Sequence, residues 1–111
     1  MIEKFEVKFL REAREFLLTL DEKTRDKILM NIDHAKHGLD PKLLKRLNSE
    51  IWEFRTKYKR QHFRILSFWD KRNNQTTLVI ATHGFIKKSQ KTPINEIKKA
   101  ERIMKLYFEQ Y

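Results

Sequence analysis

Two stretches of alternating apolar and charged residues, joined by a short connector, constrain the fold more than any other part of the sequence. They are WEFRTKY at 52–58 and QHFRILSF at 61–68. A period of two is typical of β-strands, and so short a connector predicts that the two strands pair as an antiparallel hairpin. Arg55, Lys57 and Arg64 lie on the parity opposite to most of the aromatic residues, so we expect them on the more open face of the hairpin.

Further strands are predicted on either side of this hairpin. Residues 76–81 are nearly all apolar and lead into His83 and Gly84. Asn73 and Asn74 are typical turn residues and mark the connection that precedes this strand. Residues 2–8 also alternate, which predicts a short first strand.

Three helices complete the prediction. From residue 9 the apolar spacing changes to three and four, which predicts two consecutive helices, with Asp21 capping the second and Gly38 ending it. The last helix is predicted to begin with Thr92 as its cap and Pro93 at the first helical position. Its apolar stripe consists of Ile94, Ile97, Ala100, Met104, Tyr107 and Tyr111.

Runs of like elements, rather than strict alternation of strand and helix, indicate an α+β fold. We predict one domain over residues 1–111: a small antiparallel sheet of three to five strands, with an N-terminal helical hairpin and a C-terminal helix. The helices are expected mainly on one face of the sheet, leaving the cations of the hairpin on the other.

The positive charge is confined to one part of the chain. The net charge is +10, yet residues 1–39 hold eight Lys or Arg against eight Asp or Glu, whereas residues 40–111 hold seventeen against seven. Such an excess favours a polyanionic partner, although a solvated Lys-rich surface is the simpler alternative. The chain has no cysteine and no long apolar run, so we expect a cytoplasmic protein with no membrane partner.

Arginine, lysine and histidine in one neighbourhood suit the cleavage of a phosphodiester. Arginine holds phosphate charge with two parallel donors, and histidine exchanges protons near neutral pH. In RNA the 2′-hydroxyl is a built-in nucleophile, so we expect no metal site and no cofactor. Charged residues that alternate along a strand also occur simply because that face of the strand is exposed to solvent. His83, which precedes Gly84, is equally compatible with a turn.

The segments EIWEFR, FRILSFW and HGFIKKSQKTPINEIKKAERIMKLY resemble the HigB-type toxins of bacterial toxin–antitoxin pairs. These toxins belong to the RelE/ParE superfamily, and the resemblance is to the HigB-like subgroup that is common among phage-derived proteins. The resemblance covers roughly residues 47–107. It implies a RelE-like fold and a ribosome-dependent endoribonuclease, an mRNA interferase that inhibits translation. It also implies a cognate helix-turn-helix antitoxin, with which the toxin forms a hetero-oligomer.

Site residues follow from the resemblance by position. It implies catalytic roles for Arg55, Lys57, Arg64 and His83, with the arginines on phosphate charge and His83 or Lys57 in proton transfer. RNA-binding roles are expected for Lys59, Arg60, Lys87, Lys88 and Lys91. A non-catalytic ParE-like poison of DNA gyrase and a phage-derived nucleic-acid-binding protein are the alternatives. We expect Arg64→Ala to abolish growth arrest without disturbing the fold.

Overall fold

The computed structural model describes residues 5–38, 40–72 and 78–111, so the turn predicted at Asn73 and Asn74 lies outside the described residues. The strands are β1 (Glu6–Phe9), β2 (Leu44–Arg46), β3 (Trp52–Tyr58), β4 (Gln61–Asp70) and β5 (Leu78–Lys87). The helices are α1 (Arg11–Thr19), α2 (Glu22–Lys36) and α3 (Ile94–Gln110), and a short 3-10 helix covers Pro41–Leu43. Within the described ranges, no helix is long and apolar enough to cross a membrane.

The five strands form one sheet in the order β1-β5-β4-β3-β2. Strands β2 to β5 pair antiparallel, and β1 pairs parallel with β5, Val7 lying opposite Val79. The predicted α+β class and the β3–β4 hairpin are confirmed, while the parallel pairing of β1 and the edge strand β2 were not predicted. Lys59 and Arg60 make the hairpin turn with φ of 50° and 67°, as a two-residue turn between twisted strands requires.

The helical hairpin covers one face of the sheet. Ile28 and Ile32 of α2 pack in one core with Phe54 and Ile65 of the hairpin strands. On the same face Asn31 donates from Nδ2 to Thr56 Oγ1 over 3.1 Å. Gly38 ends this region with φ of 70°, as predicted.

The expectation that the helices lie mainly on one face is wrong for α3, which packs on the opposite face. Ala100 and Tyr107 are buried there against Leu66, Phe68 and Ile80. Apolar residues of β4 point to both faces, so the sheet has a core on each side. The part of the second face nearer the β3–β4 turn carries the cations.

The start of α3 also differs from the prediction. The helix begins at Ile94, with Pro93 in the cap position and its carbonyl accepting hydrogen bonds from the N–H groups of Glu96 and Ile97. Thr92 therefore does not cap the helix, and its hydroxyl donates instead to Glu53 Oε2 over 2.5 Å. Within the predicted apolar stripe Ile94 and Tyr111 are exposed, because they lie at the two ends of the helix.

A β-bulge on β5 sets which residues face α3. Leu66 pairs with His83 and Ser67 with Ala81, which leaves Thr82 as an extra residue. Strict alternation would put residues three apart on opposite faces, but the bulge lets Ile80 and His83 both face α3. The Thr82 hydroxyl donates to the Leu66 carbonyl over 3.2 Å.

A polar cluster fastens the far end of α3 to β4. Tyr107 donates from its hydroxyl to Asp70 Oδ2 over 2.7 Å, and Arg72 donates to both carboxylate oxygens over 3.0 Å. Hydrogen bonds from Arg72, followed by the one from Tyr107, hold the pKa of the Asp70 carboxyl well below its usual range. Tyr107 is thus a core residue, in agreement with its position on the predicted stripe.

Candidate active site

A cleft with two lobes lies beside the start of α3, on the face of the sheet that α3 only partly covers. The first lobe has a volume of about 430 Å³ and is lined by Arg55, His62, Arg64, Lys87, Lys88, Ser89 and Gln90. The second, of about 310 Å³, is lined by Lys45, Arg46, Leu47, Glu53, Arg55, Lys87, Gln90, Lys91, Thr92 and Ile97. Arg55, Lys87 and Gln90 line both lobes, so the two adjoin each other.

Strand register explains why cations from three strands converge on the first lobe. Arg64 pairs with Arg55 on β3, and His62 on β4 pairs with Lys87 on β5. Directly opposed residues of an antiparallel pair face the same side of the sheet, and residues two apart on one strand also share a side. The alternation seen in the sequence therefore becomes a single cationic surface.

Arg64 is the most deeply placed cation of the cleft, with only 3% of its surface exposed. Its Nη1 donates to the Phe63 carbonyl over 3.0 Å. Its Nε lies 3.4 Å from Glu53 Oε1, yet this buried donor makes no hydrogen bond of adequate geometry. Burial lowers the pKa of the guanidinium, and the Glu53 carboxylate opposes that shift. Arginine stays charged nevertheless, so a buried positive charge lines the lobe.

Glu53 is a residue of the cleft that the sequence analysis did not single out. It is 2% exposed and lies between the two arginines, with Oε1 3.4 Å from Arg64 Nε and 3.6 Å from Arg55 Nε. Its Oε2 accepts a hydrogen bond from the hydroxyl of Thr92. The available signal was its parity, because Glu53 shares that of Arg55 and is the one acid among the cations of β3.

His62 is the second residue that the sequence analysis passed over. It is exposed and lines the first lobe. Desolvation lowers the pKa of its imidazole, and the nearby charges of Arg64, Lys57 and Lys87 lower it further. Both effects favour the neutral ring, which is the form that can accept a proton. Its position two residues before Arg64 was the signal that could have identified it.

The structure separates the predicted lysines and arginines into three places. Lys87, Lys88 and Lys91 line the cleft. The pKa of Lys87 is lowered, first by desolvation and next by the charge of Arg64. Lys57 is exposed and pairs across the strands with His62 without lining either lobe, and Lys59 with Arg60 is exposed at the hairpin turn.

His83 does not line the cleft. It is 2% exposed beneath the start of α3, with Nε2 3.0 Å from Glu96 Oε1 and Nδ1 3.0 Å from Thr82 Oγ1. Burial lowers the pKa of this imidazole, although the hydrogen bond to Glu96 favours the charged form. The structure thus brings together Arg55, Arg64, Lys87, Lys88 and Lys91 but leaves His83 apart from them.

No group of three His, Cys, Asp or Glu side chains within the described ranges is arranged to hold a metal ion. The lobes are instead lined mainly by cations and neutral polar groups, with Glu53 as their acidic member. An anion with several oxygen acceptors, such as a phosphodiester, fits such a lining.

Fold and site together define a small α+β protein whose mixed sheet carries a cationic cleft beside its C-terminal helix. Comparison with known families identifies the family. The chain belongs to the family described as "Phage derived protein Gp49-like", whose pattern matches residues 15–105. This family is part of the RelE/HigB-like toxin group. A search of curated proteins found no match.

Proposed function

We propose that the protein is a HigB-type toxin of a toxin–antitoxin system and an endoribonuclease that cuts mRNA on the ribosome. The single observation that carries this proposal is the first lobe, where Arg55, Arg64 and Lys87 line the same cavity as the exposed His62. Membership of the RelE/HigB-like group supports the toxin role. The cleft supports the chemistry, because it combines phosphate binding with a proton acceptor.

The reaction follows from the charges of this lobe. Arg64 and Arg55 bind the non-bridging oxygens of the scissile phosphate and stabilise the charge that grows in the pentacoordinate transition state. His62 takes the proton of the 2′-hydroxyl, whose oxygen attacks phosphorus while the bond to the 5′-oxygen breaks. Lys57, across the strands from His62, returns a proton to the leaving oxygen. The products are a 2′,3′-cyclic phosphate and a 5′-hydroxyl, and no metal takes part.

Proton transfer falls to His62 in this proposal rather than to His83. For His83 to reach RNA it would first have to part from Glu96 and from the covering α3. His62 already lies in the lobe, and its neutral form is the one that accepts a proton. His83 instead connects β5 to the first turn of α3.

The partners follow from the same proposal. Message on translating ribosomes is the substrate, which places the protein in the cytoplasm. Lys88 and Lys91 bind the RNA backbone from the β5–α3 loop, and Lys59 with Arg60 adds charge at the hairpin turn. A helix-turn-helix antitoxin with an acidic surface would form a hetero-oligomer with the toxin, and high salt would slow its association.

Brief induction in growing bacteria, followed by primer extension on several transcripts, tests the proposal. Cuts inside translated codons are expected, and they should disappear from transcripts whose start codon is removed. Growth arrest without new transcript ends would replace the proposal with a ParE-like gyrase poison. RNA or DNA binding without arrest or cuts would favour a nucleic-acid-binding protein that is not a toxin. The variant Arg64→Lys separates the nuclease from a contact poison, because it keeps the positive charge. A contact poison tolerates this exchange, whereas the nuclease loses activity.

A further inference from the structure

We propose that Glu53 is a positioning residue that holds the two phosphate-binding arginines and the β5–α3 loop in one fixed arrangement. This inference rests on the proposed function and adds a residue to it that touches no substrate atom. The observation behind it is the set of contacts of one buried carboxylate with Arg55, Arg64 and Thr92.

Both arginines meet Glu53 through the same part of their side chains. The atoms nearest to Oε1 are the Nε of Arg64 and the Nε of Arg55. An arginine engaged at Nε keeps its terminal Nη groups for another ligand. The carboxylate therefore pairs with both side chains at Nε. Nη1 of Arg64 already donates to the Phe63 carbonyl, so Nη2 of Arg64 and the Nη groups of Arg55 are the donors left for a phosphate in the lobe. Bidentate recognition of phosphate depends on such orientation.

Glu53 also offsets the mutual repulsion of the cleft cations. Desolvation, followed by the charges of Arg64 and Arg55, lowers the pKa of Lys87, and the Glu53 carboxylate opposes that shift. Without the carboxylate, Arg64 would be a buried charge among like charges. We expect its side chain to leave its present rotamer, because a buried charge without a partner is unfavourable.

The third contact extends the arrangement to the loop that carries the RNA-binding lysines. Thr92 donates to Oε2 over 2.5 Å, one residue after Lys91 and immediately before the cap of α3. A single side chain on β3 thus connects β4, through Arg64, with the loop that follows β5. The spacing of the phosphate-binding groups across the cleft then depends on Glu53.

The experiment compares Glu53→Gln with Asp70→Asn. Both substitutions turn a buried, ion-paired carboxylate of this sheet into an amide, but Asp70 lies beside Tyr107 and Arg72, outside the lining of either lobe. Single-turnover cleavage of mRNA on purified translating ribosomes gives kcat and the half-saturating concentration of toxin, at a temperature where circular dichroism shows each variant folded.

Glu53→Gln should lower kcat by about 10- to 100-fold, the range expected when reacting groups are misplaced by about an ångström. Its half-saturating concentration should stay the same or fall, because the cleft loses a negative charge. Asp70→Asn should keep both constants. Should Glu53→Gln fail to fold, Thr92→Val provides the test: it removes one contact of the carboxylate, keeps every charge, and should lower kcat alone.

Three outcomes would overturn the inference. They are a kcat for folded Glu53→Gln within threefold of the wild-type value, a rise in half-saturation with unchanged kcat, and an equal loss of kcat in Asp70→Asn. NMR of the arginine side-chain Nε–H groups separates a failure of this inference from a failure of the proposed function. If the wild-type protein cuts no RNA, the proposed function fails, and positioning is still judged by whether the Arg64 Nε–H signal shifts and broadens in Glu53→Gln but not in Asp70→Asn.

Discussion

Replacing Arg64 tests its structural and its chemical role together. The structure alters the sequence-based expectation that Arg64→Ala leaves the fold intact, because the guanidinium is buried beside Glu53. Removing one partner of a buried ion pair costs about 3–5 kcal/mol. Glu53 keeps Arg55 and Thr92 as partners, so we expect the lower end, about 3 kcal/mol. At about 4 °C per kcal/mol for a domain of this size, the melting temperature should fall by about 12 °C.

Cleavage should fall by more than the loss of stability explains. Removing one preorganised hydrogen-bond donor from the charge that develops in a transition state lowers the rate by about 100- to 1,000-fold. Loss of Arg64 should cost at least as much, because the guanidinium is a charged donor. Arg64→Lys keeps the charge without the fork and should be intermediate in rate. The double variant Glu53→Leu with Arg64→Met replaces the buried pair by apolar side chains, which is often neutral or stabilising. It should regain stability but not cleavage.

Two measurements check this pair of effects. Urea unfolding followed by the fluorescence of Trp52 and Trp69 gives the free energy of unfolding, and cleavage on translating ribosomes gives the rate. An Arg64→Ala protein within 1 kcal/mol of the wild type would contradict the buried pair. Cleavage by that folded variant within about tenfold of the wild-type rate would remove Arg64 from the phosphate site.

Three further predictions concern other residues. His62→Ala should lower cleavage by about 100-fold or more at pH 7, whereas His83→Ala should chiefly lower stability. In the wild type the cleavage rate should rise with pH as His62 loses its proton. The rise should level off below the ordinary histidine pKa of 6.5, because the pKa of His62 is lowered. A profile unchanged by His62→Ala would assign the general-base role to His83 or Lys57 instead. Asp70→Asn should destabilise the fold by about 1–3 kcal/mol at pH 7, because the buried carboxylate loses its charge-assisted hydrogen bonds while the exposed Arg72 stays solvated. Because the folded-state pKa of Asp70 is depressed, its contribution is complete above the unfolded value near 3.8 and is lost as pH falls toward the folded value. Acid titration of both proteins should therefore show their stabilities converging below about pH 4, and parallel curves there would contradict the assignment. Gly84→Ala should destabilise strongly, as measured by urea unfolding, because a Cβ there would clash with the ring of Phe16. A neutral effect would mean that α1 shifts freely.

Local periodicity accounts for the parts of the fold that the sequence predicted. Apolar and polar residues alternate along β3 and the first half of β4, and Gly38 is suited to the positive φ it adopts. The position of α3 was not predictable in this way. Apolar residues such as Leu66 and Phe68 stand on the parity of the cations, and only the packed structure shows that they form a second core under α3.

The residues of the candidate site that form a cluster of positive charge could be predicted from the sequence. Those whose role depends on burial could not. Arg55, Arg64, Lys87 and Lys88 were expected together and are together. Glu53 escaped notice because one acid among cations carries no local signal of its burial. His83 was expected at the site because it follows the predicted last strand, where the resemblance places a basic residue, but the bulge at Thr82 and the covering helix place it in the interior.

The central claim is best tested by the chemistry of the cut ends. Purified toxin is added to ribosomes translating a defined message, and the new ends are mapped and probed with a phosphatase and a kinase. The account predicts cuts within translated codons that leave a 2′,3′-cyclic phosphate and a 5′-hydroxyl, strongly reduced with Arg64→Lys. Arrest of translation with the message intact, or equal cutting of message free of ribosomes, would contradict it.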